Sequence, residues 1–164
     1  MKPAGKPIRD GGEIFIVDKN KPLELLSEWI NEAKDKEIIE PTAMSIATLK
    51  KSGFPTNRMV LAKYLDDEKI GFFTNLESDK SLEIIANQNV SATFWWPAIE
   101  RQVRVEGQAE QMPRKQVEEY HSTRPRRSRI AAWASDQSRG LESMDTLRER
   151  FLLYESKFKT KIVP

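Results

Sequence analysis

Cysteine is absent from these 164 residues, and histidine occurs once, at His121. That excludes disulfides, a thiol nucleophile and thiolate metal sites, and a lone imidazole supports neither a histidine metal cluster nor a Ser-His-Asp triad. Long apolar runs are also missing. The longest fall far short of the roughly 20 residues that span a bilayer, and the opening MKPAGKPIRDGGE has no apolar signal core. The expected setting is cytoplasmic. Neither sign of charge dominates: 27 lysines and arginines face 25 acidic residues, a net charge of +2. Any anion site must therefore be local, because the chain as a whole does not carry the charge of a nucleic-acid binder. The length suits one domain with a real core.

What is present is a series of short amphipathic segments. Residues 1–20 hold Pro3, Gly5, Pro7, Gly11 and Gly12 with few large apolar side chains, which predicts a mobile N-terminal arm ahead of a single domain over 21–164. Leu23, Leu25, Leu26, Trp29, Ile30 and Ala33 recur at helical spacing behind Pro22, so a helix is expected over about 22–36. Strand patterns follow at 43–50, 58–63, 70–74, 90–96 and 101–107. In the last, period two sends Val103, Val105 and Ala109 to one face and Gln102, Arg104 and Glu106 to the other. Helices are expected at 79–88, 113–122 and 142–158, the final one with Leu147, Phe151, Tyr154 and Phe158 on one face. Short strands in succession with helices between them predict an α+β domain built on an antiparallel barrel.

The stretch NRMVLAKYLDDEKIGFFTNLESDK, residues 57–80, combines two strands, an acidic turn and a helix start. Ser78 is the expected N-cap, ahead of an amphipathic run of Leu82, Ile84, Ile85 and Ala86. Free N–H groups at a helix start, a threonine hydroxyl and nearby cations suit an anionic group, although a solvated surface hairpin explains the same residues. Arg58 and Lys63 are five positions apart, so strict alternation places them on opposite faces; sharing one ligand would require a bulge or a contribution from a strand end or a dimer interface.

Four motifs in order, Arg58-Met-Val-Leu-x-Lys63, Phe-Thr-Asn75-x-x-Ser78-x-Lys80, Trp96-Pro-x-x-x-Arg-Gln-Val-Arg-Val-Glu-Gly107 and Tyr120-x-x-x-Arg-Pro-Arg-x-Ser128-x-Ile-x-Ala-Trp-Ala-Ser135-x-Gln-Ser138, closely resemble the pyridoxine/pyridoxamine 5'-phosphate oxidase family over roughly residues 40–164. The resemblance implies an FMN-binding split β-barrel acting as a homodimer, with the cofactor in the subunit interface and molecular oxygen as electron acceptor. It implies that Arg58, Thr74 and Lys80 hold the FMN phosphate and that Met59, Val60 and Leu61 line the flavin. Gln102, Gln137 and Ser138 would hydrogen-bond the ring system or ribityl chain, and Lys63 and Phe73 belong to the same cofactor set. Lys63, Tyr120, Arg124 and Ser128 correspond to the family's grip on the vitamin B6 phosphate. No catalytic residue is singled out and no metal is implied.

Three departures stand beside the resemblance. Asp79 replaces a basic residue between Ser78 and Lys80, removing a phosphate partner and adding repulsion. Ile130-Ala-Ala-Trp133 replaces Ile-Gly-Ala-Trp. The given residues end at Pro164, before the family's final strands with a tryptophan and an Arg-x-His-x-Arg motif. Two other readings follow: a flavin-binding module with little or no oxidase activity, and a nucleic-acid binder using Arg124, Arg126, Arg127 and Arg129 beside Trp133. Apart from the motif, the tryptophans read as core or interface, with Trp95, Trp96, Val103 and Val105 offering apolar area to a partner. Arg126, Arg127 and Arg129 read as a basic rim, and His121 as a surface helix residue.

Overall fold

The computed structural model describes residues 21–163; the expected N-terminal arm lies outside them. The strands are β1 (Ala43–Leu49), β2 (Pro55–Leu65), β3 (Ile70–Phe72), β4 (Asn89–Trp96) and β5 (Arg101–Gln108), and the helices α1 (Pro22–Asp35), α2 (Asp79–Ala86), α3 (Arg114–Thr123), α4 (Arg126–Ala134) and α5 (Met144–Lys157). The strands form one antiparallel sheet in the order β3-β2-β1-β4-β5. The chain divides into two compact units: one of residues to Ser45 with Met59–Phe72 and Thr93–Arg104, the other of Ile46–Arg58, Phe73–Ala92 and Val105 onward.

In the first unit, α1 buries Leu26, Ile30 and Ala33, spacings of four and three that form one helical stripe, and Pro22 occupies its first turn as expected. Arg101 pairs with Glu32, and its guanidinium lies 4.8 Å from the centroid of the Trp29 ring. Phe94 and Trp96 are buried and stack at 5.5 Å between centroids; burial of each is worth on the order of 2–3 kcal/mol. The Trp96 indole donates to the Pro41 carbonyl at 2.8 Å, satisfying the one polar group that its burial would strand. Trp96 is therefore core, which corrects its assignment to a partner surface. Trp95, one residue earlier and pointing the other way, is exposed.

The β2–β3 hairpin turns on Asp66. Its Oδ1 accepts from the backbone N–H of Glu68 at 2.8 Å and Lys69 at 2.7 Å, and its Oδ2 from the Tyr64 hydroxyl at 2.6 Å, so this acidic residue builds the turn by closing it on its own backbone. Ala62 pairs with Phe72, but Tyr64 pairs with Gly71, and the register slips between them. Lys63 is the extra residue. The irregularity falls inside the Arg58-to-Lys63 segment, where strict alternation conflicted with a shared ligand.

In the second unit, α4 and α5 pack around Ile130, Phe158 and Val163, with Phe151 and Tyr154 against them; Trp133, Tyr154 and Phe158 lie 5.7–6.1 Å apart between ring centroids. The expected face of α5 is the packed one. The arginine run is different: α4 starts within it, and its guanidinium groups turn onto the chain's own C-terminal segment. Arg126 donates to the carbonyls of Phe158 and, at 3.2 Å, Lys161. Arg129 reaches the Val163 carbonyl at 3.5 Å, and Arg127 sits 5.4 Å over Phe151. Arg126 and Arg127 stay exposed, as a basic rim requires, and Arg126 and Arg129 in addition donate to carbonyls beyond the end of α5. Arg126→Ala is expected to lower unfolding free energy by about 1 kcal/mol, read as a lower urea midpoint with an unchanged slope.

Candidate functional site

Helix α2 is built inside out. The expected apolar run is mostly exposed, Leu82 at 47 % and Ile85 at 72 %, while Ser78, Lys80, Ser81 and Glu83 are buried. Ser78 stands at the N-cap as expected, yet its side chain makes no cap hydrogen bond. Its hydroxyl donates instead to the Asn75 carbonyl at 2.7 Å, as does that of Ser81 at 2.8 Å. Both protons are thus committed, and the serine oxygens present lone pairs inward.

Lys80 is 6 % exposed. Its ammonium donates to Thr74 Oγ1 at 3.0 Å and Ser78 Oγ at 3.3 Å, and among the described residues no carboxylate lies within ion-pair distance. Burial pushes its pKa down, the Arg58 charge adds to the effect, and Asp79 and Glu83 oppose it. A buried ammonium surrounded by neutral oxygens is costly unless an anion completes the shell. Thr74 passes its proton to Gln137 Oε1 at 2.9 Å, and the same oxygen accepts from the Asn75 N–H at 3.2 Å. Lys80 and Thr74, six residues apart, and the distant Gln137 are therefore one hydrogen-bonded group.

Arg58 is held by a second buried cluster. It donates to Thr48 Oγ1, to Thr56 Oγ1 at 2.8 Å and to Glu83 Oε2 at 3.1 Å. Burial alone would raise the Glu83 pKa, but the hydrogen bonds from Thr48, Thr56 and Arg58, with the Arg58 charge, outweigh it and hold the carboxyl below its ordinary value. Glu83, Thr48, Thr56 and Ser81 escaped the sequence reading. The available signal was the polar spacing Ser78/Ser81 and Lys80/Glu83, a helical stripe of its own beside Leu82 and Ile85.

Phe73 and Tyr120 stack with centroids 3.6 Å apart and planes 9° from parallel. Arg124, just past α3, and Ser128 on α4 are half-buried. Ser138 is exposed and takes a positive φ of 65° in the turn after Gln137. In the first unit, Met59, Val60 and Leu61 lie on β2 with Met59 exposed, Lys63 is exposed at the register slip, and Gln102 is exposed on β5. His121 is half-buried, with its pKa lowered first by burial and then by Arg124 and Arg129; it is less of a surface residue than expected.

A family model described as pyridoxamine 5'-phosphate oxidase matches residues 30–154. A protein named pyridoxine/pyridoxamine 5'-phosphate oxidase from Shewanella woodyi is 44 % identical over 146 residues, covering 88 % of this chain and 68 % of the relative. One of the same name from Agrobacterium fabrum is 38 % identical over 149 residues, covering 91 % and 72 %. Among solved structures, PhzG from Burkholderia lata, in complex with tetrahydrophenazine-1-carboxylic acid, superposes with a TM-score of 0.82 at 22 % identity over 90 % of this chain and 72 % of that one. A pyridoxamine 5'-phosphate oxidase-related, FMN binding protein from Nostoc punctiforme gives 0.61 at 12 % identity, covering 76 % and 69 %. The fold is the split β-barrel expected from the sequence, and with a match over most of its length the chain belongs to the pyridoxamine 5'-phosphate oxidase family.

Proposed function

We propose that this protein binds FMN and oxidises pyridoxine or pyridoxamine 5'-phosphate to pyridoxal 5'-phosphate, with oxygen as the final acceptor, as a cytoplasmic homodimer. The observation that carries the cofactor reading is Lys80, a buried ammonium held by hydroxyl oxygens with no carboxylate at ion-pair distance among the described residues, which is the donor chemistry a phosphate dianion completes. Arg58 supplies the second cation, and Thr74 and Gln137 fix the direction of the ammonium. FMN held by these residues would supply a hydride acceptor for the C4' carbon and a route for the electrons to oxygen.

The chain's own residues bind and orient. Met59, Val60 and Leu61 line the flavin and keep water away, with Lys63, Phe73, Gln102 and Ser138 completing the cofactor set. Lys63, Tyr120, Arg124 and Ser128, two cations and two hydroxyls, suit the substrate's phosphate. The exposed Met59 and Trp95, at 64 % and 58 %, are apolar area for a second copy to cover. Among the described residues no helix is long and apolar enough to cross a membrane.

Flavin bands in the spectrum of the purified protein, turnover of pyridoxamine 5'-phosphate under air and a dimer in sedimentation are the expected results. Bound flavin without turnover would reduce the protein to a flavin-binding module, and a protein with no flavin affinity would sink the reading. The departure at Asp79 is expected to be mild. Asp79 is exposed in the first turn of α2, where a carboxylate favours the helix N-terminus and solvent screens its repulsion. Asp79→Arg should lower the melting temperature slightly and leave FMN affinity within about threefold at ~0.15 M salt.

A further inference from the structure

We infer that Glu83 is a positioning residue for Arg58, an internal counter-anion that the cofactor phosphate must partly displace, so that this carboxylate sets the affinity for FMN. The inference rests on the cofactor reading above. It starts from the donors of Arg58. Nη1 donates to Thr48 Oγ1 and, at 3.4 Å, to the Thr56 carbonyl, while Nη2 donates to Thr56 Oγ1 at 2.8 Å and Glu83 Oε2 at 3.1 Å. A guanidinium has five N–H groups, so only the Nε–H is left. One donor cannot make the two-pronged contact by which arginine grips a phosphate, so a further donor must be released, and the longer of the two Nη2 bonds, the one to the Glu83 carboxylate, is the one a phosphate's negative charge competes with directly.

Glu83 also dictates how its neighbours face. The Thr48 and Thr56 hydroxyls each have one proton, and both go to Glu83 Oε2, at 2.5 and 2.9 Å. Their oxygens are thereby turned, lone pairs first, toward Arg58. The carboxylate holds the guanidinium directly and through both threonines, and it cancels the Arg58 charge, leaving Lys80 as the uncompensated cation beside it. Neither partner is free to swing into solvent, since the Glu83 and Arg58 side chains are 10 % and 22 % exposed.

Glu83→Gln keeps the side chain's shape and an oxygen for the same donors but removes the charge. Titration of flavin fluorescence with FMN and with riboflavin, which lacks the phosphate, separates positioning from scaffolding. At about 0.05 M salt the variant is expected to bind FMN roughly tenfold more tightly than wild type, with riboflavin unchanged, and the gain should shrink at about 0.5 M. A purely structural role would loosen both ligands together. FMN affinity that is unchanged or weaker, or riboflavin moving in parallel, would overturn the inference while leaving the cofactor reading intact. A wild-type protein that binds neither flavin would overturn both. If the Gln variant does not fold, Glu83→Asp, which draws the charge back by one methylene, carries the same expectation in the same assay.

Discussion

Replacing Lys80 with methionine should weaken FMN binding by about 2–3 kcal/mol, the worth of a charge-assisted bond to a desolvated phosphate, and should at the same time raise the melting temperature of the cofactor-free protein. The two effects have one cause. In the free protein the Lys80 ammonium is buried against Thr74 and Ser78 with no carboxylate at ion-pair distance among the described residues, so folding desolvates a charge and returns only neutral hydrogen bonds. Methionine fills similar volume without that cost. The pH dependence follows in sign. Burial and Arg58 depress the Lys80 pKa from its ordinary 10.5, so the unfolded chain binds more protons in that window and wild-type stability rises as pH climbs toward 10.5. The methionine variant should lose this rise. Calorimetry without cofactor and flavin titration on the same preparation give both readings; a variant melting below wild type would show that Lys80 is compensated after all.

Arg58→Ala should be the more damaging change, because it removes a proposed phosphate partner and also strands Glu83. With the guanidinium gone, Glu83 keeps the hydroxyls of Thr48 and Thr56 but loses its only ion pair among the described residues at a position that is 9 % exposed. Breaking a buried pair from one side costs about 3 kcal/mol, and FMN affinity should fall by a further few kcal/mol of lost phosphate contact. The sign of the pH effect separates this from ordinary cavity formation. In wild type the Glu83 pKa is held below its ordinary value by its hydrogen bonds and Arg58 against the effect of burial, so that contribution is complete above the ordinary carboxyl range and fades as pH falls through the native pKa. In the variant burial is no longer outweighed by Arg58, so the deficit relative to wild type should narrow as pH falls and Glu83 protonates. A deficit independent of pH between about 4 and 7 would mean that Glu83 is not what Arg58 supports.

The parts of this protein legible in its sequence are those where side-chain period and burial agree. Leu26, Ile30 and Ala33 on α1, the half-buried Val103 and Val105 between exposed Gln102, Arg104 and Glu106 on β5, and Phe151 and Tyr154 on α5 with Phe158 at its C-cap all report core by spacing alone. Helix α2 was misread because the same rule assumes that the apolar side faces inward. There the buried face is polar, and what justifies Glu83 inside are partners contributed by other segments, Thr48 from β1 and Thr56 and Arg58 from β2. Such satisfaction is invisible to any window of local sequence. The carbonyl contacts of Arg126 and Arg129 were out of reach for a related reason: charge density marks where cations are, and the Phe158, Lys161 and Val163 carbonyls lie more than thirty residues on.

The slip at Lys63 bears on how this strand tolerates length change. Ala62 opposite Phe72 and Tyr64 opposite Gly71 are consecutive rungs on the β3 side but not on the β2 side. Deleting Lys63 would therefore close β2 into a regular ladder without moving either neighbour's partner, and the Asp66 turn would stay where it is. A single-codon indel in this hairpin would thus add or remove the cation proposed for substrate phosphate while leaving the sheet intact, so substrate choice and fold are separable here by the smallest change in length a gene can make.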